Sequence, residues 1–135
     1  MDSLEFTDRP ELRRTIMVTA FAGWPDASEA ATRAIRYMAE QIAATKFASI
    51  DHEDFYDFVE LRPKVRNGAN GERILSWPEN QFYAWRNTDG EGPDMVLFRG
   101  VEPHFKWRAY SSMIYEVAEA CNVELVVTLG ALLDA

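Results

Sequence analysis

TIMVTAFAGWPDASEAATRAIRYMAEQI, Thr15 to Ile42, decides the fold of this chain. Thr15 to Phe21 is a β-branched and apolar run with no polar face, the pattern of a strand covered on both sides. Gly23 and Pro25 break the run, and a helix follows. Asp26 with Glu29 three residues on has the spacing of a capping box, with Asp in the cap role. Ala27, Ala31, Ala34, Ile35, Met38 and Ile42 then recur at helical spacing on one face, while Glu29 and Arg33 make an outward pair. The product is strand, tight turn, helix.

The same order returns near the end of the sequence. Met95 to Phe98 is a buried strand ending at Arg99-Gly100, and a long helix starts between Pro103 and Lys106. Tyr110, Met113, Ile114, Val117, Ala118 and Cys121 form its apolar stripe, Asn122 serves as its C-cap, and VELVVTL, Val123 to Leu129, is the last strand. Strands alternating with helices imply right-handed βαβ connections and a mostly parallel sheet with helices on both faces.

Between these units the signals change. Phe47 to Phe58 reads as a strand running into an acidic edge. Turn residues crowd 59–93: Arg62-Pro63, Asn67-Gly68-Ala69-Asn70-Gly71, Trp77-Pro78 and Asp89-Gly90-Glu91-Gly92-Pro93. Arg73 to Trp77 and Gln81 to Arg86 read as short strands of an antiparallel hairpin inserted into the fold, with Asn70-Gly71 near its turn. Residues 1–14 read as a loose lead-in, and the 135 residues as one domain.

Composition narrows the function classes. Twenty-two acidic residues against 14 basic ones give a net charge of −8, a field that repels phosphate backbones and anionic lipid. Neither nucleic acid nor membrane is an expected partner. One cysteine cannot close an internal disulfide, and on its apolar stripe Cys121 reads as a small buried hydrophobe. The first residues, MDSLEFTDRPELRRT, lack the apolar run of a signal peptide, so the expected location is the cytoplasm.

Three segments together carry a resemblance: Gly23-Trp24-Pro25-Asp26-Ala27, Ile50 to Pro63 (IDHEDFYDFVELRP) and Gly100 to Trp107 (GVEPHFKW), with Leu75-Ser76-Trp77-Pro78 in addition. From about Met17 onward the chain resembles the bacterial branch of the proteasome assembly chaperone family, relatives of the second eukaryotic assembly chaperone. The resemblance implies a three-layer α/β/α fold akin to nucleoside phosphorylases, with residues 1–135 as the N-terminal part of the family fold. It also implies a scaffold that binds protein partners, proteasome subunits or other assemblies, and that forms homo-oligomers. The family's eukaryotic and archaeal chaperones dock through a tail of hydrophobic residue, tyrosine, any residue. This sequence ends Leu133-Asp134-Ala135, without the tyrosine.

Two loops are candidate ligand sites. Gly23, Trp24, Asp26 and Ser28 lie where the first strand ends and a helix begins, a place where free N–H groups favour anions. Against a ligand there, Asp26 brings its own negative charge, and a plain structural turn explains the same residues. After the Met95–Phe98 strand, Arg99, Glu102, His104 and Arg108 could converge on Asp26. A His beside a Glu suits acid–base work, and Arg suits a carboxylate or phosphate. The alternative is that Glu102-Pro103 starts the helix and His104 is a solvated loop residue.

No cofactor is expected, and no metal. Neighbours in Asp51-His52-Glu53-Asp54 would point to opposite faces of a strand, leaving two ligands at most on either side. No catalytic residue is assigned. The aromatics Trp77, Phe82, Tyr83 and Trp85 crowd the middle third, and strand alternation can bury only half of them. They are the candidate interface of a homo-oligomer, and the alternative is that the remaining C-terminal part of the family fold covers them. A binding protein is therefore the first reading. A small-molecule enzyme of nucleoside phosphorylase or hydrolase type, using the loops at Asp26 and Glu102-His104, is the second.

Overall fold

The computed structural model describes residues 3–134; Met1 and Asp2 of the expected lead-in, and Ala135, lie outside the described residues. In chain order the elements are β1 Leu4–Phe6, β2 Thr15–Ala22, α1 Ala30–Gln41, β3 Thr45–Ile50, β4 Lys64–Asn67, β5 Arg73–Ser76, β6 Asn80–Trp85, β7 Asp94–Val101, α2 Trp107–Ala120 and β8 Val123–Leu129. A single 3-10 turn, Ala27–Glu29, leads into α1.

Six strands form one sheet in the order β1-β3-β6-β7-β2-β8. β2 pairs in parallel with both β7 and β8, with Val18 opposite Leu97 on one side and Val127 on the other. The β7–β6, β6–β3 and β3–β1 pairings are antiparallel. Successive residues of β2 point to opposite faces. Val18 and Ala20 meet Ala31 and Ile35 of α1, together with Leu97. Met17 meets the other layer, where Phe82, Val96 and Phe98 pack under Tyr110, Met113 and Val117 of α2. The result is the expected three-layer α/β/α arrangement, with β4 and β5 as a separate antiparallel hairpin. No helix among the described residues is long and apolar enough to cross a membrane.

Three expectations need correction. The lead-in is not wholly loose: Leu4, Glu5 and Phe6 pair with Ile50, Ser49 and Ala48 of β3. Leu12 is buried, and its carbonyl accepts a hydrogen bond from Asn122 Nδ2 at 2.7 Å. The second strand stops at Ile50, and 51–58 is turns. Phe55 and Tyr56 are buried there, with Phe55 N donating to His52 O inside a turn and not to a neighbouring strand. Finally, β5 pairs with β4 and not with β6. The turn does fall at 67–72, where Gly68 N donates to Glu72 O and Gly71 takes a φ of +81°. Lys64–Asn67 (KVRN) is exposed throughout and has no apolar alternation to announce it as a strand.

Candidate functional site

The carboxyl ends of β2 and β7 bring the two candidate loops into contact. Glu102 N donates to Ala22 O at 2.9 Å, extending the β2–β7 pairing by one step. Gly23 holds a φ of +128°, and a Cβ there would lie 3.1 Å from Glu102 Oε2. Only glycine gives both that backbone and that clearance. On its other side the turn is tied to the residues after β8, because Ala131 N donates to Pro25 O and Ala27 N donates to Ala131 O.

Asp26 is a cap, reached in an unforeseen way. Its Oδ1 accepts from the N–H groups of Ala31 and Thr32, and its Oδ2 accepts from Thr32 Oγ1 at 2.6 Å. Glu29 does not complete a capping box. It sits at the helix start with a φ of +56°, and its carboxylate lies 3.4 Å from Arg33 Nη2. The α1 N-terminus therefore already holds a negative charge, buried and fully bonded. This removes the anion site expected at Gly23, Trp24, Asp26 and Ser28. Trp24 stands 86% exposed beside it, and Ser28 is exposed as well.

The second loop does not converge on Asp26. Arg99 lies on the α1 side of the sheet, its Nη2 3.8 Å from Glu79 Oε2. Glu102 lies on the α2 side, in the wall of a cavity of about 240 Å³ lined also by Phe21, Pro25, Trp107 and Tyr110. His104 is neither solvated nor aimed at Glu102. Its Nδ1 accepts the Asp57 N–H at 2.8 Å, and its ring meets Tyr56 edge-on. Arg108 is exposed on α2. Arg99, Glu102, His104 and Arg108 therefore do not meet at one point.

A buried polar cluster near this loop had no clear signal in the sequence. Asn80 Oδ1 accepts from Val101 N, Tyr56 OH and Tyr110 OH, while its Nδ2 donates to Tyr56 OH. Burial raises the Tyr56 hydroxyl above its ordinary range despite the hydrogen bonds from Asn80 and Tyr110. Burial, with Tyr56 beside it, raises Tyr110 further. Both stay neutral and serve as donors to Val101 O, Tyr56 fastening the 51–58 segment and Tyr110 fastening α2 to the end of β7. Burial likewise pushes the Cys121 thiol up to about 11, leaving it little nucleophilic character. In the sequence Tyr110 is one position of an apolar stripe, and Asn80 follows Glu79 in a polar stretch.

Among the described residues no group of three His, Cys, Asp or Glu side chains could hold a metal. His52, one of the residues weighed for that role, lies flat on Trp77 with ring centroids 5.2 Å apart.

The expected aromatic interface divides. Phe82 is fully buried and stacks on Phe98 at 4.2 Å, so it is core and cannot be a surface anchor. Tyr83 and Trp85 are half-buried on β6, and Trp77 is partly covered by His52 and Phe58. β6 is an interior strand between β3 and β7, and Tyr83 packs against the α1-side core. The large exposed apolar surface lies on β8 instead. That strand has β2 as its one neighbour, and Leu125 and Val126 are 54% and 52% exposed, with Val127 beside them. Leu132 and Leu133 follow, more exposed still.

Comparison with known proteins places this geometry. The sequence model of the PAC2 family matches residues 20–135. A crystal structure of a PAC2 family protein from Streptomyces avermitilis is 41% identical with a TM-score of 0.78, over 89% of this chain and 51% of that one. A proteasome-assembly chaperone homologue from Mycobacterium tuberculosis is 37% identical with a TM-score of 0.78, over 88% of this chain and 50% of that one. PbaB of Pyrococcus furiosus, an archaeal proteasome activator, shares the fold at 18% identity and a TM-score of 0.65, over 93% of this chain and 49% of that one. No curated protein matches. The chain spans about half the length of the proteins whose structures it resembles.

Proposed function

The chain belongs to the PAC2 family, and from that premise we propose that it is a proteasome-assembly-chaperone-like protein of the cytoplasm that binds protein partners and associates with itself. The observation that carries this reading is β8. An edge strand offers a row of unpaired N–H and C=O groups, and an added strand from another chain satisfies them. On β8 that row comes with Leu125 and Val127 on one face and Val126 on the other, so an incoming strand also covers apolar surface. The M. tuberculosis relative, a proteasome-assembly chaperone homologue, supports proteasome subunits as the partners.

The enzyme reading loses its ground, because Arg99 and Glu102 face different layers and the Asp26 carboxylate is consumed by α1. The test is capture from native lysate with the tagged protein. Proteasome subunits are expected with the unaltered chain and are expected to be lost with Val126→Lys. Absence of proteasome subunits from the capture rejects them as partners.

A further inference from the structure

On the α1 side of the sheet, a second cavity of about 240 Å³ opens beside the ends of β2 and β7, with Thr32 of its wall separating it from the Asp26 carboxylate that Thr32 Oγ1 bonds. Its charged lining comes from four separate segments: Arg36 on α1, Arg62 and Lys64 at the start of the hairpin, Arg99 on β7, with Glu29 and Glu79 as the acids. Four cations against two carboxylates make this a positive pocket in a chain whose net charge is −8. The acids offset it only in part. Glu29 lies against Arg33, which is not part of the lining, and Glu79 reaches only Arg99. Among the described residues Arg36, Arg62 and Lys64 have no carboxylate within ion-pair distance. Cations that could have spread over an acidic surface are gathered around a concavity.

We infer that this pocket binds a small dianion of the phosphate class. The pocket sits at the carboxyl ends of adjacent parallel strands, where open α/β sheets place their ligands. Guanidinium groups present paired N–H donors to tetrahedral oxyanions, and Lys64 adds a mobile point charge. The volume is below the roughly 300–1,000 Å³ of drug-sized sites. It fits inorganic phosphate or a short phosphate monoester. Trp77 and Pro78 form an apolar part of the wall against which the organic portion of an ester can lie. Glu79 acts as an internal competitor, since it holds the Arg99 guanidinium that the anion would claim. This inference does not rest on the protein-binding reading of β8.

The test is titration of the ¹⁵N-labelled protein with inorganic phosphate and, separately, with glycerol 3-phosphate, at fixed ionic strength against chloride. Saturable shifts are expected at the Gly100 and Val101 amides and at the Arg36, Arg62 and Arg99 side-chain Nε–H groups. Arg62→Ala with Lys64→Ala, both at exposed positions, is expected to weaken binding roughly tenfold or more with the rest of the spectrum unchanged. Glu79→Gln is expected to strengthen it. Phosphate stabilises most proteins by exclusion from their surface, and that effect persists in every variant, so only the variant-dependent part counts. Tighter binding of the ester assigns the Trp77 wall to its organic portion, and equal binding assigns the site to the free anion. Shifts no larger than those from chloride, or shifts untouched by the Arg62 and Lys64 changes, overturn the proposal.

Discussion

The two edges of the sheet are built from opposite kinds of strand. At one edge β1 is three residues long, and the segment around it is tied down. Phe6 packs near Phe47, the Arg9 guanidinium lies 4.1 Å over the Phe6 ring, and Leu4 and Leu12 are buried. A short strand with a cation across it is how proteins close an edge against unwanted pairing. At the other edge β8 runs for seven residues, VELVVTL, with none of these devices. Its sequence is of the same type as that of β2, TIMVTAFA, which α1 and α2 bury from both sides. Strands of that type belong inside parallel sheets. On β8 the sequence of an interior strand occupies an edge among the described residues, in a chain that spans about half the length of its structural relatives.

The largest effect separates the core from the open edge. Phe98 is fully buried between Phe82 at 4.2 Å and Phe21 at 5.7 Å. Phe98→Ala is expected to cost about 3–5 kcal/mol in urea unfolding, the range for emptying a close-packed aromatic site. Leu125→Ala on β8 is expected to change stability by less than about 0.5 kcal/mol, as an exposed substitution does. Similar costs at the two positions would mean that β8 is covered after all and would remove the contrast.

What could be read from residues alone follows the same division. β2, α1, β7, α2 and β8 declared themselves, because each carries one long period of apolar residues that packing and periodicity fix together. The Asp26 cap and the left-handed Asn122 after α2 were legible for the same local reason. Elements made by long-range pairing were not. β1 is three residues with one buried side chain, β4 is exposed throughout, and the partner of β5 depends on which strand reaches it first. At the loops, residue types suggested chemistry, but the chain sends Arg99 to one face and Glu102 to the other. Strand alternation decides that, because Glu102 continues the β7 pairing and residues three apart on a strand face opposite ways.

A medium effect tests how the closed half is tied to β7. Asp94 is fully buried, and its carboxylate accepts from Arg13 N at 2.8 Å and Asn87 N at 2.7 Å. Burial acts to raise this carboxyl, but the two amide donors and the Arg13 and Arg86 charges outweigh it, so the group lies below its ordinary 3.8. A depressed folded-state value means the stabilisation is fully present above the unfolded-state value and is lost as pH falls through the folded one. Asp94→Asn turns an N–H donor toward one of the two amides and is expected to cost about 2 kcal/mol at neutral pH. The variant should also lose less stability than the parent between pH 5 and the acid transition, at about pH 4 and below. Parallel acid limbs for the two proteins would show that Asp94 contributes no pH dependence.

A smaller effect concerns the turn between the two halves. Asp26→Ala removes all three bonds that cap α1 and is expected to cost about 1 kcal/mol in the same unfolding experiment. Glu29→Ala removes only an exposed pair with Arg33 and is expected to cost about 0–1 kcal/mol, toward the lower end. If Glu29 proved the more costly of the two, the cap would lie in the box that the spacing first suggested.

The smallest effect on the fold is expected to carry the largest effect on association. Leu125 pairs in register with Ile16 and Val127 with Val18, so both project from the same face of β8 and neither is covered by α1 or α2. Lysine at both positions keeps the β2–β8 backbone hydrogen bonds, since substitution of a side chain leaves the ladder intact. At concentrations where the chain is monomeric, Leu125→Lys with Val127→Lys is expected to alter unfolding by less than about 0.5 kcal/mol per site. At higher concentration the parent chain is expected to scatter light as an assembly heavier than its 15.4 kDa monomer. The double variant is expected to stay at the monomer mass, because two ammonium groups cannot be desolvated against a second apolar strand. An assembly that survives both lysines would move self-association off this face of β8. A parent that is monomeric at every concentration would reject self-association through this edge.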